Sequence, residues 1–203
     1  MALLRQAVQQ ANEKQAAAII LDIRNNLGGL DDMAAGILGS FYREKTLFEY
    51  QNAYNATDGK FELQKVDGAD GMYIEPSEPH FNGKVICLIN QKCVSSGEGI
   101  AKFIQNLPNG ETLGFYGTNG SFGLAGAEIV MPGGLTVHYP NGQSLDKNHE
   151  IQIDSRDGIG GVRPSIRIEM TAENAIRIAN GEDVELEEAI RILQADLSKI
   201  NFQ

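Results

Sequence analysis

The sequence has few of the residues from which metal sites and disulfides are built. Its 203 residues include two cysteines, Cys87 and Cys93, and three histidines, His80, His138 and His149. Neither set has the paired spacing of a zinc site. A disulfide between the cysteines is not indicated, because a strand would hold their side chains far apart. We therefore expect no metal and no organic cofactor.

Long apolar runs and positive charge are also scarce. No stretch approaches the roughly eighteen apolar residues of a membrane-spanning helix. The amino-terminal segment lacks the basic start and apolar centre of a signal peptide. Acidic residues outnumber basic ones by 27 to 17, giving a formal net charge of −10. Nucleic acids and anionic membranes are themselves negative, so we expect neither as a partner and no membrane insertion.

The patterns that are present predict one α/β domain over residues 1–203. An apolar helical stripe runs to about Gln15, and segment 16–23 is nearly all apolar, as in a strand covered on both faces of a parallel or mixed sheet. A glycine-rich turn, RNNLGG, leads back to helical periodicity. Segment 84–90 and the helix after it repeat this strand–turn–helix order.

The remaining predicted elements are mainly strands. Two hairpins are expected, one across the turn NATDGK and one across the glycine pair at 133–134. Short strands are predicted at 110–117 and 164–170. An amphipathic helix is predicted over 183–200, and the acids in its first turn complement the helix dipole.

Ser95 stands at the second strand-to-helix turn, three residues before Glu98. This is the S-x-x-E capping box, which is a sufficient explanation for both residues. The RNNLGG turn and the Ser95 turn are expected at the same end of the sheet, where α/β proteins usually place their sites. A serine beside free backbone N–H groups combines a nucleophile with an oxyanion hole, the parts that acyl transfer needs.

Five segments, in order between residues 16 and 168, resemble the carboxyl-terminal processing (tail-specific) serine peptidases. LDIRNNLGGLDD is similar to the family's L-D-[LV]-R-x-N-x-G-G-[LG], and VSSGEGIAKFIQ stands where the family has S-A-S-E-[IL]-x-A. The other three segments are GFYGTNGSFG, MPGG with LTVHYPNGQ, and GIGGVRPSIRI. The resemblance implies the α/β fold of the ClpP/crotonase-like superfamily, a mixed β-sheet core with flanking helices.

The resemblance also implies roles for particular residues. Ser95 matches the nucleophile, and the backbone N–H groups of Ser96 and of Gly28 or Gly29 match the oxyanion donors. The implied substrate is a polypeptide, read near its carboxyl terminus, and the implied compartment is the cell envelope or an equivalent extracytoplasmic space. Because the amino-terminal region and PDZ domain common in the family are absent here, we expect the chain to be a fragment of a longer protein.

One position departs from the family pattern. Typical members use a Ser-Lys dyad, and the matching lysine position holds Leu124, which cannot accept a proton. No lysine lies between Lys102 and Lys147. Three explanations stay open. A histidine from a segment before the core supplies the base, as in the tricorn-like branch; a local residue substitutes; or the domain is a non-catalytic relative that binds peptides or apolar small molecules.

Local substitutes for the missing base are each weak candidates. Lys92 and Lys102 flank Ser95, but a lysine must be desolvated to act as a base near neutral pH. Capping already explains Glu98, and the three histidines fall in predicted loops or strand edges. Cys93 is an alternative nucleophile that we discount, because its side chain is expected on the wrong side of the turn.

Other polar and apolar residues near these motifs have structural explanations. Arg24 is expected to fix the RNNLGG turn rather than bind a substrate carboxylate. Glu128, near the position of a glutamine that supports the dyad lysine, is expected at a strand edge. Phe122 and Leu124 fit an apolar pocket and the core equally well.

The sequence therefore predicts the core of a serine endopeptidase that forms an acyl-enzyme at Ser95. The alternative is a peptide- or ligand-binding relative with a degenerate site. An enzyme of the crotonase-like type acting on acyl thioesters is a weaker alternative, which the serine-bearing turn and the acidic charge do not favour.

Overall fold

The computed structural model describes residues 2–153, 155 and 161–200. Its helices are α1 Ala2–Glu13, α2 Asp31–Leu38, α3 Ser96–Gln105, α4 Ala172–Ala179 and α5 Val184–Ile200. Its strands are β1 Ala18–Asp22, β2 Thr46–Asn55, β3 Lys60–Gln64, β4 Met72–Ile74, β5 Lys84–Leu88, β6 Gly110–Gly114, β7 Gly123–Val130, β8 Thr136–Leu145 and β9 Ile166–Arg167. Residues 158–160 of the segment GIGGVRPSIRI lie outside the described residues.

A parallel sheet with the strand order β1-β5-β6-β9 forms the centre of the fold. The side chains of β5 alternate between two apolar clusters: Val85 and Cys87 belong to one, and Ile86 and Leu88 to the other, which also holds Ala189 of α5. Both faces of β5 are therefore covered, as its apolar sequence predicts. The prediction is only partly right for β1, which lies at the sheet edge with half-buried side chains.

An antiparallel sheet forms the second layer, with the order β3-β2-β8-β7 and with β4 paired to β2. Both predicted hairpins are confirmed. The β7–β8 turn places Gly133 and Gly134 at φ values of 88° and 81°, which glycine adopts without steric cost.

Helix α3 lies where the two layers meet. Phe48 of β2 stacks on Phe103 of α3 with ring centroids 5.0 Å apart, and Phe122 meets the same Phe48 ring edge-on at 5.7 Å. Gly99 allows this approach, because a Cβ there would lie 2.7 Å from the Phe48 ring. The predicted α/β core of mixed sheets and flanking helices is confirmed.

Two elements differ from the sequence prediction. Helix α4 was not predicted, although Thr171 caps it by accepting from the N–H of Asn174 at 3.1 Å and Gly181 follows it at a φ of 88°. These are the ordinary start and stop signals of a helix. The strand predicted at 164–170 shrinks to the two residues of β9, because the short strand β6 offers it pairing only at Leu113 and Gly114. Among the described residues, no helix is both long and apolar enough to cross a membrane.

Candidate active site

The two predicted turns meet at one end of the parallel sheet. Strands β1 and β5 are parallel neighbours with Asp22 opposite Leu88, so the turns that follow them lie side by side. The N–H of Val94 donates to the carbonyl of Asn26 at 2.9 Å. A Cβ on Gly28 would lie 2.7 Å from the Cβ of Ser95, so this close approach requires glycine.

Ser95 is held in an unusual backbone conformation at the start of α3. Its φ of 56° and ψ of −128° are strained for a residue with a side chain, and such conformations concentrate at functional sites. The Glu98 carboxylate accepts from the N–H of Ser95 at 3.2 Å. The Ser95 hydroxyl takes the capping-box position near the N–H of Glu98 without forming a full cap hydrogen bond there. The predicted capping box is thus present, and the hydroxyl is only loosely engaged by it.

Glu98 connects the Ser95 turn to the loop before β7. Its carboxylate is fully buried and accepts hydrogen bonds from the hydroxyl of Thr118 at 2.6 Å and from the N–H groups of Gly120 and Ser121 at 2.6 and 2.8 Å. Gly161 closes over this network, because a Cβ there would lie 2.3 Å from Glu98 Oε1. These donors fix the carboxylate as a structural acceptor rather than a base.

The two glycines of the RNNLGG turn differ in what their N–H groups do. The N–H of Gly28 donates to Asn26 Oδ1 at 2.9 Å, in a local side-chain turn typical of asparagine. The N–H of Gly29 has no acceptor among the described residues. Ser96 is the first residue of α3, and the N–H groups of the first turn have no acceptor within the helix. The N–H groups of Gly29 and Ser96 therefore have no acceptor among the described residues and are available to a ligand.

A cavity of about 780 Å³ opens beside Ser95. The cavity is lined by the loop before β7, by both strands of the β7–β8 hairpin, and by residues 151 and 153. Phe122 is both a core residue, 3% exposed, and part of this wall, so the two explanations considered for it both hold. Leu124 also lines the cavity, which means that an apolar side chain shares this space with Ser95.

The lysines considered as substitute bases lie away from the Ser95 hydroxyl. Lys92 is exposed on the turn. The ammonium of Lys102 donates to the carbonyl of Gln152 at 3.4 Å, and burial lowers the pKa of Lys102. Lys102 is seven residues beyond Ser95, about 10 Å along the helix. Neither lysine lines the cavity.

Two of the three histidines lie outside the Ser95 cavity, and the third lies farther along the β7–β8 hairpin. His149 stacks on Tyr50 at 4.8 Å, and His80 lies in a different cavity. His138 does line the Ser95 cavity and faces Glu128 at 3.7 Å, but it lies four residues along β8 from Gly142, the partner of Leu124. Along β8, positions 138 and 142 are about 13 Å apart. Within the described ranges, no lysine, histidine or carboxylate side chain hydrogen-bonds the Ser95 hydroxyl.

The side chains of Cys93 and Arg24 are both held by hydrogen bonds within the fold, and Arg24 makes contacts that the sequence did not predict. The Cys93 thiol is buried and donates to the carbonyl of Ile23 at 3.0 Å, and burial raises its pKa, so it points away from the cavity. The Arg24 guanidinium binds Asp22 at 2.6 Å, Asp183 at 2.7 Å and Glu185 at 3.0 Å, which attaches the start of α5 to the end of β1. These hydrogen bonds lower the pKa of Asp22 and Asp183.

A comparison with known protein families shows to which family the chain belongs. The model of the family described as peptidase family S41 matches residues 1–168. The chain belongs to peptidase family S41. The family assignment confirms the resemblance to tail-specific serine peptidases. No curated protein matches the sequence of this S41 chain.

Solved structures share the fold of this S41 chain. A candidate peptidase from Parabacteroides merdae is 24% identical, with a TM-score of 0.71 over 94% of this chain and 56% of that one. Mature CPAF in complex with lactacystin is 14% identical, with a TM-score of 0.75 over 100% and 48%. The photosystem II D1 C-terminal processing protease is 21% identical, with a TM-score of 0.54 over 83% and 39%. The chain spans from 39% to 56% of the length of these three proteins.

Sequence reasoning missed three residues that shape this site. Asn26 orders the glycine turn, and its position two residues before Gly28 is a local signal that could have revealed it. Thr118 binds Glu98 from 20 residues away, and Asp31 binds the hydroxyl of Ser96 from 65 residues away. No local sequence pattern predicts contacts between residues that are so far apart in the chain.

Proposed function

We propose that this chain is the core of a serine endopeptidase and that Ser95 is its nucleophile. The observation that carries the proposal is the approach of the Gly28–Gly29 turn to a strained serine at the start of α3, beside an open cavity. The S41 family membership supports the same chemistry.

The proposed reaction uses the groups gathered at this turn. The Oγ of Ser95 attacks the carbonyl carbon of the scissile peptide bond, and the N–H groups of Ser96 and Gly29 hold the oxygen that becomes negative. We choose Gly29 over Gly28 because the N–H of Gly28 already donates to Asn26. Collapse of the intermediate breaks the C–N bond, and the amine leaves with the proton that the base took from Ser95 Oγ; water then hydrolyses the acyl-enzyme.

The proton of the Ser95 hydroxyl needs an acceptor from elsewhere. The described residues place no base on that hydroxyl, and Leu124 stands at the position that the resemblance assigns to the dyad lysine. We propose that residues 1–203 are one peptidase core, and that a histidine from a segment preceding it supplies the base. The proposed substrate is a polypeptide cut near its carboxyl terminus, as the resemblance to tail-specific peptidases implies.

A non-catalytic binding role is the second candidate, and Leu124 is the observation that favours it. With leucine in place of lysine, the cavity keeps Phe122 and Leu124 as apolar walls and could hold an extended peptide without cleaving it. Substrate cleavage separates the two candidates.

The proposed function is tested by cleavage of an unfolded polypeptide such as reduced, alkylated casein by the longest natural form of the protein. We expect wild-type protein to produce new amino termini and Ser95→Ala to produce none above background, a loss of at least about 1000-fold, since removing a catalytic nucleophile removes the covalent pathway. Ser198→Ala, an exposed serine of α5, is the matched control and should cleave normally. Equal cleavage by Ser95→Ala would refute the proposal. Peptide binding without cleavage by either protein would establish the binding role.

A further inference from the structure

A side-chain hydrogen bond joins the two turns on which the proposed oxyanion donors lie. The hydroxyl of Ser96, 4% exposed, donates to Asp31 Oδ1 at 2.6 Å and lies 3.2 Å from the carbonyl oxygen of Gly29. Because a hydroxyl has one proton, the short contact to Asp31 is the main bond and the Gly29 carbonyl shares it weakly. Residues 31 and 96 are 65 positions apart, so this bond connects distant parts of the chain.

The bond connects the first residues of two helices. Asp31 begins α2 and Ser96 begins α3, and each follows one of the two turns that flank the Ser95 hydroxyl. Ser96 therefore carries both one end of the bond and one of the two donor N–H groups. Asp31, at the other end, is two residues after Gly29, which carries the second donor N–H. A link at this place fixes the distance between the two donors.

Helix capping does not account for the Ser96 side chain. Ser95, not Ser96, is the cap residue of α3, and the hydroxyl of Ser96 donates its proton to another helix instead of accepting from an N–H of its own. The bond is charge-assisted, and such bonds are shorter and stronger than neutral ones. The first turn of α2 also favours the Asp31 carboxylate through the helix dipole.

Asp31 and its surroundings give this link a defined electrostatic setting. Asp31 is half-buried; burial raises its pKa, the Ser96 hydrogen bond lowers it, and the charge of Asp32 raises it. Among the described residues, no lysine or arginine forms an ion pair with Asp31. The Ser96 hydroxyl is therefore the main side-chain partner that holds the Asp31 carboxylate in place.

We propose that Asp31 and the side chain of Ser96 are positioning residues for the oxyanion hole. Their hydrogen bond sets the spacing of the Ser96 and Gly29 N–H groups so that both point at one oxygen atom. The inference rests on the proposed function, because an oxyanion forms only if Ser95 attacks a carbonyl or an equivalent centre. Neither side chain touches the reacting atoms; each acts through the backbone that it holds.

The expected effect is smaller than the loss of a donor. Removing one oxyanion donor lowers a rate by about 100- to 1000-fold. Loosening the spacing of two donors that remain present should lower it by about 10-fold, because the donors still reach the oxygen in part of the ensemble.

The test is the rate at which a peptidyl diphenyl phosphonate captures the longest natural form of the protein. The reagent is a neutral diester, and its phosphoryl oxygen gains negative charge where the oxyanion would lie as Ser95 Oγ attacks phosphorus and a phenoxide leaves. Varying its concentration gives the maximal capture rate and the binding constant separately. We expect Ser96→Ala and Asp31→Ala each to lower the maximal rate about 10-fold, since donor spacing acts on the transition state, with reagent binding unchanged.

The combined variant and a conservative variant distinguish positioning from general damage. The double variant Ser96→Ala/Asp31→Ala should be no slower than either single variant, because both remove the same bond. Asp31→Asn keeps an acceptor oxygen in place and should recover most of the rate. Thermal melting of each variant shows whether it is folded. If the alanine variants lose capture because they unfold, the capture rate of Asp31→Asn decides whether the positioning role holds.

The outcomes of the capture experiment distinguish failure of the positioning role from failure of the proposed function. Wild-type capture with an unchanged rate in Ser96→Ala, or additive losses in the double variant, would overturn the positioning role while leaving the proposed function intact. Absence of capture in the wild-type protein would overturn the proposed function, and the positioning role with it.

Discussion

Replacing Glu98 with alanine should lower the free energy of unfolding by about 3–5 kcal/mol, because several neutral hydrogen-bond donors around the carboxylate lose their acceptor together. The variant leaves the N–H groups of Ser95 and Gly120 and the hydroxyl of Thr118 without their acceptor. Each buried donor without a partner costs about 1–3 kcal/mol. Ser95 should also relax from its strained conformation, because the carboxylate that holds its N–H is gone.

Urea denaturation of the wild-type protein and Glu98→Ala measures this change. The matched control is Glu128→Ala, an exposed carboxylate on the wall of the same cavity, which should change stability by less than about 0.5 kcal/mol. A loss below about 1 kcal/mol in Glu98→Ala would show that water or other groups replace the carboxylate, and that Glu98 does not organise the Ser95 turn.

Glu49→Gln should change the pH dependence of stability. Glu49 is fully buried on β2; its Oε1 accepts from Gln51 at 2.7 Å, while its Oε2 has no hydrogen-bond partner among the described residues. Burial, followed by the negative charge of Asp31, raises the pKa of Glu49 to about 7. Ionising this carboxylate in the folded state is therefore unfavourable.

The direction of the effect follows from proton binding. Between the ordinary pKa of 4.5 and about 7, the folded protein keeps a proton on Glu49 that the unfolded chain has released. The stability contribution of Glu49 is thus fully present below the lower value and is lost as the pH rises to about 7. At about 1.4 kcal/mol per pKa unit the loss approaches about 3 kcal/mol.

Glutamine resembles the protonated carboxyl and does not titrate in this range. The stability of Glu49→Gln relative to the wild-type protein should therefore increase by about 3 kcal/mol between pH 5 and pH 8. Urea denaturation at several pH values measures it, with Glu44→Gln as an exposed carboxylate control. A difference that stays constant with pH would show that Glu49 is hydrated or paired in solution.

Local patterns in the sequence were sufficient for most of the helices and strands and for the capping box at the Ser95 turn. The continuous apolar run of β5, the capping box of Ser95 and Glu98, and the hairpin glycines are each confirmed. Parallel strands followed by turns also led correctly to the placement of the two turns at one end of the sheet, because parallel neighbours end at the same sheet edge.

Contacts between distant segments were beyond sequence reasoning. Arg24 meets Asp183 across 159 positions, and Ser96 meets Asp31 across 65. Such pairs depend on how the helices pack against the sheet, and the hydrophobic periodicity of the sequence does not determine that packing. Gly28 and Gly29 are a different case, because the side chain that distinguishes their N–H groups is Asn26, a local signal two residues before Gly28.

The most direct test of the central claim, that Ser95 is a peptidase nucleophile, is mass spectrometry of the protein after reaction with a peptidyl phosphonate. The account predicts a single adduct on the wild-type protein, mapped by fragmentation to Ser95, and none on Ser95→Ala. An adduct that persists in Ser95→Ala, or no adduct on the longest natural form of the protein, would contradict it.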